Sequence, residues 1–301
     1  MSGVRKRRLK IKKKNFTIFI ICILMIIGSI TYGIKKSTDQ SNIKKEENIE
    51  KINKEKQNND FENASKLNYY IKENETRYQN YRKEHQSLST EEVIIQVNIG
   101  LDNEYYTNSS KAPKQNTQYV LVNKYNYLDE NYVPENLEKI SNQYALNNMQ
   151  LVSYAKDAFE EMAKDAKKDN MSIIAMSTYR SYEYQVNLYN NYAKADGKEK
   201  ADTYSGRPGY SEHQTGLAVD VYNGKESYTN FEVTEEFKWM QENAYKYGFI
   251  LRFPKDKTKE TGYEYESWHY RYVGKEIAEY INKNKISYEE YYAKYLQNKK
   301  D

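Results

Sequence analysis

Cysteine is all but missing from this chain of 301 residues, which holds a single one, Cys22. No internal disulfide can form, so the folded part must depend on a hydrophobic core. A thiol nucleophile is excluded everywhere beyond the segment around Cys22, which reads as one more packed apolar residue. Histidine is scarce as well, with three in all. Acids are absent from the first 14 residues, against eight basic side chains from Arg5 to Lys14. Those eight exceed the formal net charge of +4, so the remainder of the chain is mildly acidic. The basic excess is therefore local, and it argues against a nucleic-acid-binding surface, which needs clustered Lys and Arg on the folded part. Glycine-rich phosphate loops, regular βαβ units and internal repeats are also missing. That pattern favours an α+β domain with a mostly antiparallel central sheet flanked by helices.

Five segments follow along the chain. Residues 1–14 form a basic cytoplasmic segment, and residues 15–34 a transmembrane signal-anchor. The nearly uncharged run of 16–34 just spans a bilayer core as a helix. Its polybasic flank predicts a cytoplasmic N-terminus, with everything after Lys35 outside the cell membrane. A cleaved signal peptide is the competing reading, although no Ala-x-Ala-like site follows the run. Residues 35–89 are rich in Lys, Glu, Asn and Gln, with too little apolar surface to offset chain entropy at their start, and read as a charged stalk. A globular domain covers 90–285, and a helical tail 286–301. Tyrosine is abundant, at 33, and goes with many Lys, Asn and Ile residues, as a compositional bias would produce.

Within the globular part, Glu92–Ile99 reads as a strand or a short helix, and Tyr119–Asn123 as a strand. Leu151, Ala155, Phe159, Met162 and Ala166 recur at helical spacing. A buried strand over 172–177 and a helix over 182–196 come next, then a loop through 197–212. Further strands are expected at 216–222, 249–253 and 268–273. Helices are expected at 235–247, stopped by Gly248, and at 274–284. Ser287 and Glu290 have capping-box spacing for a terminal helix.

Two of the three histidines fall in short, unusual segments: Ser211-Glu212-His213-Gln214-Thr215-Gly216-Leu217-Ala218-Val219-Asp220 and Glu266-Ser267-Trp268-His269. Asp220 puts a carboxylate inside an apolar strand, where an unpaired charge costs several kcal/mol and a neighbouring cation removes the penalty. Gly216 and Ala218 on the same strand face would leave room there. His213, His269 and Asp220 make two imidazoles and one carboxylate, a set that suits one catalytic zinc with an open position for water. Glu266 stands ready to take that water's proton, with Glu212 and Glu264 as rivals on spacing alone. Because Glu266 and His269 lie three apart, a turn near Ser267 is required if both serve one ion. Arg180 ends an apolar strand, which puts its head at the sheet edge near the metal.

The pattern Ser-x-His-x-x-Gly-x-Ala-x-Asp at Ser211, His213, Gly216, Ala218 and Asp220 resembles the metal motif of the zinc D-alanyl-D-alanine carboxypeptidases of VanY type, within the hedgehog/DD-peptidase-like superfamily. Glu266, Trp268 and His269 resemble that family's second motif. The likeness extends over roughly 90–283, through Asn98–Asp102, Leu121–Tyr125, Tyr179-Arg180-Ser181 with Gln185, and Asn243–Arg252, without departure at the ligand positions. It implies one zinc held by His213, Asp220 and His269, with Glu266 as general base and later proton donor. It also implies that Arg180 binds substrate or steadies the oxyanion, that Gln185 and Ser211 hydrogen-bond the peptide, and that Tyr210 walls the pocket. The substrates implied are peptidoglycan stem peptides ending in D-alanine, with D,D-activity favoured over L,D-activity on tetrapeptides. The enzyme is expected to be a monomer facing the cell wall. A non-catalytic zinc-containing wall-binding module is the alternative from a different class, and Glu266 would be superfluous to it.

Overall fold

Period-two alternation sets the centre of the molecule. In the computed structural model, which describes residues 60–299 together with Met25 and Lys35, four short strands form one sheet. They are β1 (Ile174–Ser177), β2 (Ala218–Tyr222), β3 (Phe249–Leu251) and β4 (His269–Tyr272). The order is β1-β2-β4-β3, and each neighbouring pair is antiparallel. This matches the α+β architecture expected from the sequence. Val219, Val221 and Tyr270 point to one side of the sheet, while Ala218, Asp220, His269 and Arg271 point to the other.

The apolar side is covered by a helix over Ser153–Lys168, as its spacing predicts. Its Ala155, Phe159, Met162, Ala163 and Ala166 are buried in one cluster with Ala175, Val219, Val221, Phe249 and Tyr270. Burying each large side chain there contributes roughly 1.5–3 kcal/mol. A second cluster joins Leu121, Ile250, Val273, Ile277, Ile281, Tyr288 and Tyr292. It seats the helices Lys275–Asn284 and Tyr288–Tyr295, the latter opened by the Ser287–Glu290 capping box. The tail segment 286–301 thus contributes buried side chains to the core.

Several local expectations need correction. Glu92–Ile99, open between strand and short helix in the sequence, is helical, as part of a helix over Thr90–Ile99. The Ser89 hydroxyl accepts from the Glu92 amide while the Glu92 carboxylate accepts from the Ser89 amide, so a capping box fixes helix over strand. Tyr119–Asn123 is not a strand. Its buried Val120 carbonyl is taken by the Arg271 guanidinium (2.6 Å) in place of a sheet neighbour. The loop expected over 197–212 contains a helix at Lys198–Tyr204, which buries Ala201. Gly216 lies outside the strand and caps the turn before it at φ +68°, where a Cβ would meet Leu137 at 2.9 Å. Backbone conformation and packing require glycine there, whatever room the metal needs.

The chain divides into two units, 1–63 and 64–301, and the second contains the sheet. In the first, Met25, Lys35 and residues 60–63 are helical. Packing in the second unit begins well before Thr90. Tyr78, on a helix over Glu75–Glu84, is fully buried and donates to Asn98 Oδ1 (2.7 Å). Arg77 is forked onto both oxygens of Asp102 at 2.6–2.7 Å. No helix among the described residues is long and apolar enough to cross a membrane. The expected anchor at 15–34 and the stalk up to residue 59 lie outside the described residues, Met25 and Lys35 excepted.

Candidate metal centre and active site

Strand register brings the site together. Asp220 of β2 pairs with His269 of β4 on one side and with Ser177 of β1 on the other, next to a β-bulge. His213 arrives from the one-turn 3-10 helix Glu212–Thr215, which Gly216 stops just ahead of β2. One ligand atom each from His213, Asp220 and His269 lies within 4.8 Å of the others, and all three residues are buried. Glu266 joins them because the chain turns at Ser267–Trp268, closed by a bond from the His269 amide to the Glu266 carbonyl (3.4 Å). The turn demanded by the three-residue spacing is present, with the strand starting at His269.

The polar atoms in this cluster are mismatched unless a cation lies among them. His213 Nδ1 faces the Thr178 carbonyl at 2.7 Å, so it carries the ring proton and Nε2 keeps a lone pair. That lone pair points at Asp220 Oδ2, 3.3 Å away. His269 Nδ1 stands 3.2 Å from Asp220 Oδ1, a buried oxygen with no hydrogen bond, and 3.4 Å from Glu266 Oε2. Acceptors facing acceptors in a buried site call for a proton or a metal. Two imidazoles and a carboxylate suit a divalent transition metal, zinc above all.

Electrostatics agree. Burial, aided by the Arg180 charge, depresses His213 to about 4, so its imidazole is neutral and fit to ligate. Burial works against the charged form of His269 too, but the carboxylates of Asp220, Glu212 and Glu266 beside it outweigh that and lift this group to about 9. Burial, with Asp220 and Glu212 adding to it against His269 and Arg180, raises Glu266 to about 8. Asp220 is buried as well, yet His213, His269 and Arg180 hold it well below the usual carboxylate range.

The rivals for the role of Glu266 are occupied elsewhere. Glu264 is half-exposed and bonds Lys200 and Thr203. Glu212 is buried, with Oε1 accepting from Arg252 Nε (2.8 Å) and Arg271 Nη1 (2.7 Å), and Oε2 lying 3.5 Å from His269 Nε2. Those two atoms make no hydrogen bond at that distance, but Glu212 occupies the place behind the imidazole where carboxylates orient metal-bound histidines. Arg252 in turn bridges to Glu289. This second layer was not read from the sequence. Arg271, two residues after His269 on one strand face, was the available signal.

A cavity of about 510 Å³ opens onto the cluster and is lined by all eight of the expected site residues. Arg180 donates from Nη2 to Asp220 Oδ2 (2.7 Å) and from Nε to Ser177 Oγ (2.9 Å). Gln185 is buried and donates to the Gly206 carbonyl (2.8 Å), leaving Oε1 without a partner. Ser211 sits buried in the wall at the N-terminus of the 3-10 turn. Tyr210 packs edge-on against Tyr106 at 5.0 Å. Tyr184, Tyr192, Tyr204 and Tyr228 line the cavity beside Trp268 of the second motif, so part of the tyrosine abundance forms an aromatic wall.

A buried two-histidine, one-carboxylate cluster beside a further carboxyl, on the central strands of a sheet and open to a cavity, is the arrangement of a metallohydrolase. Residues 148–275 match the family model described as VanY, D-alanyl-D-alanine carboxypeptidase. The protein described as "Putative carboxypeptidase YodJ" of Bacillus subtilis (strain 168) is 40% identical over 215 residues, which cover 65% of this chain and 77% of that one. Among solved structures, the LdcB LD-carboxypeptidase is 39% identical with a TM-score of 0.58, covering 62% of this chain and 91% of its own. A vancomycin-resistance D,D-pentapeptidase VanY variant in complex with Zn(II) is 36% identical with a TM-score of 0.51, covering 58% and 98%. The chain belongs to the VanY family of D-alanyl-D-alanine carboxypeptidases.

Proposed function

We propose that this protein is a membrane-anchored zinc carboxypeptidase that removes the C-terminal D-alanine from uncross-linked peptidoglycan stem peptides, by D,D-cleavage of the terminal D-alanyl-D-alanine bond. The observation that carries the reading is the convergence of His213, Asp220 and His269 on one point, with the Glu266 carboxyl 3.4 Å from His269, in a peptide-sized cavity. Zinc bound by those three would polarise the scissile carbonyl and bring the pKa of its water toward neutrality. Glu266 takes the proton of the attacking water and returns it to the departing amine of D-alanine. His213 is held to its tautomer by the Thr178 carbonyl, and the Glu212 carboxylate stands behind His269. Arg180, anchored by Asp220 and Ser177, offers its planar fork to the substrate carboxylate or the developing oxyanion. Gln185 and Ser211 supply hydrogen bonds to the peptide, and Tyr210 bounds the pocket.

The apolar run 16–34 behind eight basic residues supports a single-pass anchor with a cytoplasmic N-terminus and the catalytic domain outside, facing the wall. All of the site residues come from one chain, which supports a monomer. The likeness to LdcB favours a second reading, L,D-cleavage of a tetrapeptide stem. The full-length protein in detergent, given penta- and tetrapeptide stems, tests both. Loss of one alanine that a chelator stops and zinc restores is the expected result, and the peptide that shortens assigns the stereochemistry. Inert peptides with zinc bound would leave only a wall-binding module.

A further inference from the structure

We propose that Asp196 is a specificity-determining residue at the outer end of the cavity, where it takes the free side-chain ammonium of a diamino acid upstream of the bond that is cut. The proposal rests on the carboxypeptidase reading.

Charge is segregated along the cavity. At the inner end the Glu212 charge is met by buried Arg252 and Arg271. With a divalent metal in place, Arg180 leaves this end with an excess of positive charge over Asp220 and Glu266, which suits a peptide's terminal carboxylate. The outer end is the opposite. Asp196 lines the same cavity from the last residue of the helix Tyr182–Asp196 and faces solvent at its mouth. Its hydrogen bond comes from the Tyr204 hydroxyl (2.6 Å), and among the described residues no Lys or Arg is paired with it. An acid at a helix C-terminus opposes the helix dipole, so helix stability does not account for it.

Aromatic rings run between the two ends. Tyr192 meets Tyr204 edge-on at 5.2 Å, and Tyr228 meets Trp268 at 5.0 Å. Rings beside a carboxylate suit an ammonium group, and the Lys200 ammonium already lies 6.0 Å from the Tyr204 ring centroid. The span fits as well. The 15 residues of the helix put Asp196 about 21 Å from its first residue, just beyond Arg180. Two extended residues and a lysine-like side chain together reach on the order of 13 Å, which lies within that length. A cross-link acylates that amine and removes its charge, so Asp196 would favour uncross-linked stems.

The test uses full-length protein with zinc and two synthetic stem peptides that differ only in the side-chain amine, free or acetylated. The wild type should favour the free amine in kcat/KM by about five- to tenfold. Asp196→Asn should bring that ratio toward one, Asp196→Lys should invert it, and Asp196→Glu should keep it. Equal turnover of both peptides by the wild type, or an undiminished ratio in Asp196→Asn, overturns the proposal. If neither peptide is cut by the wild type, the carboxypeptidase reading falls first and takes the proposal with it.

Discussion

Glu212 Oε2 stands 3.5 Å from His269 Nε2, on the side of the ring away from Asp220. One carboxylate thereby faces the nitrogen of His269 turned away from Asp220, an electrostatic hold at this distance, while its other oxygen is pinned by two buried arginines. Glu212→Gln keeps the shape and weakens that hold. Zinc affinity should fall about 10–100-fold, measured by competition with a chromophoric chelator. Wild-type affinity in that variant would leave Glu212 as a structural partner of the arginines alone.

Glu266 separates chemistry from metal binding. Glu266→Gln should lower kcat by about two to four orders of magnitude while zinc content by elemental analysis stays at one per chain. Substantial turnover would move the base elsewhere. The same variant has a second signature without metal. The folded-state value of about 8 lies above the ordinary 4.5, so burial of this group disfavours the charged form. Its cost is absent below about pH 4.5 and grows as pH rises toward 8. Metal-free Glu266→Gln should therefore melt above the wild type at pH 9 and level with it near pH 4.

Metal uptake should depend steeply on pH. Metal-free His269 holds its proton up to about pH 9, and ligation must expel it. Apparent zinc affinity should rise by roughly tenfold per pH unit from 7 and flatten above about 9. A flat profile across that range would mean that His269 is already neutral at pH 7 and does not compete for a proton.

The metal set was legible in the sequence because a charged residue inside an apolar strand has few explanations, and two of three histidines flanked such strands. The sheet was legible for the same reason: β-branched runs at 172–177 and 216–222 have one way to bury themselves. What escaped was whatever the chain does by pairing at a distance. Glu212, Arg252, Arg271 and Glu289 are individually ordinary, and only folding shows that each satisfies another's buried charge. Tyr119–Asn123 has strand composition, yet the carbonyl of Val120 serves an arginine. Ser89 and Glu92 carry the same capping-box spacing that was recognised at Ser287 and Glu290, and they decide for helix where β-branched residues alone suggest strand.

The C-terminal helix carries the last consequence of that pairing. Glu289 is 1% exposed, and its carboxylate takes two hydrogen bonds from Arg252, itself 1% exposed and bonded to Glu212. Removing Glu289 leaves both terminal nitrogens of the buried Arg252 without their carboxylate, with only its Nε still on Glu212, at a cost of about 3–5 kcal/mol. Glu289→Ala should thus lower the melting temperature by roughly 10 °C for a unit of this size. Through Arg252 and Glu212 it should also weaken zinc binding, although Glu289 touches no ligand. Replacing Arg252 and Glu289 together by Met and Leu removes both charges and should recover most of the stability. If the double variant melts no higher than Glu289→Ala, the lost stability lies in packing and not in the buried charge.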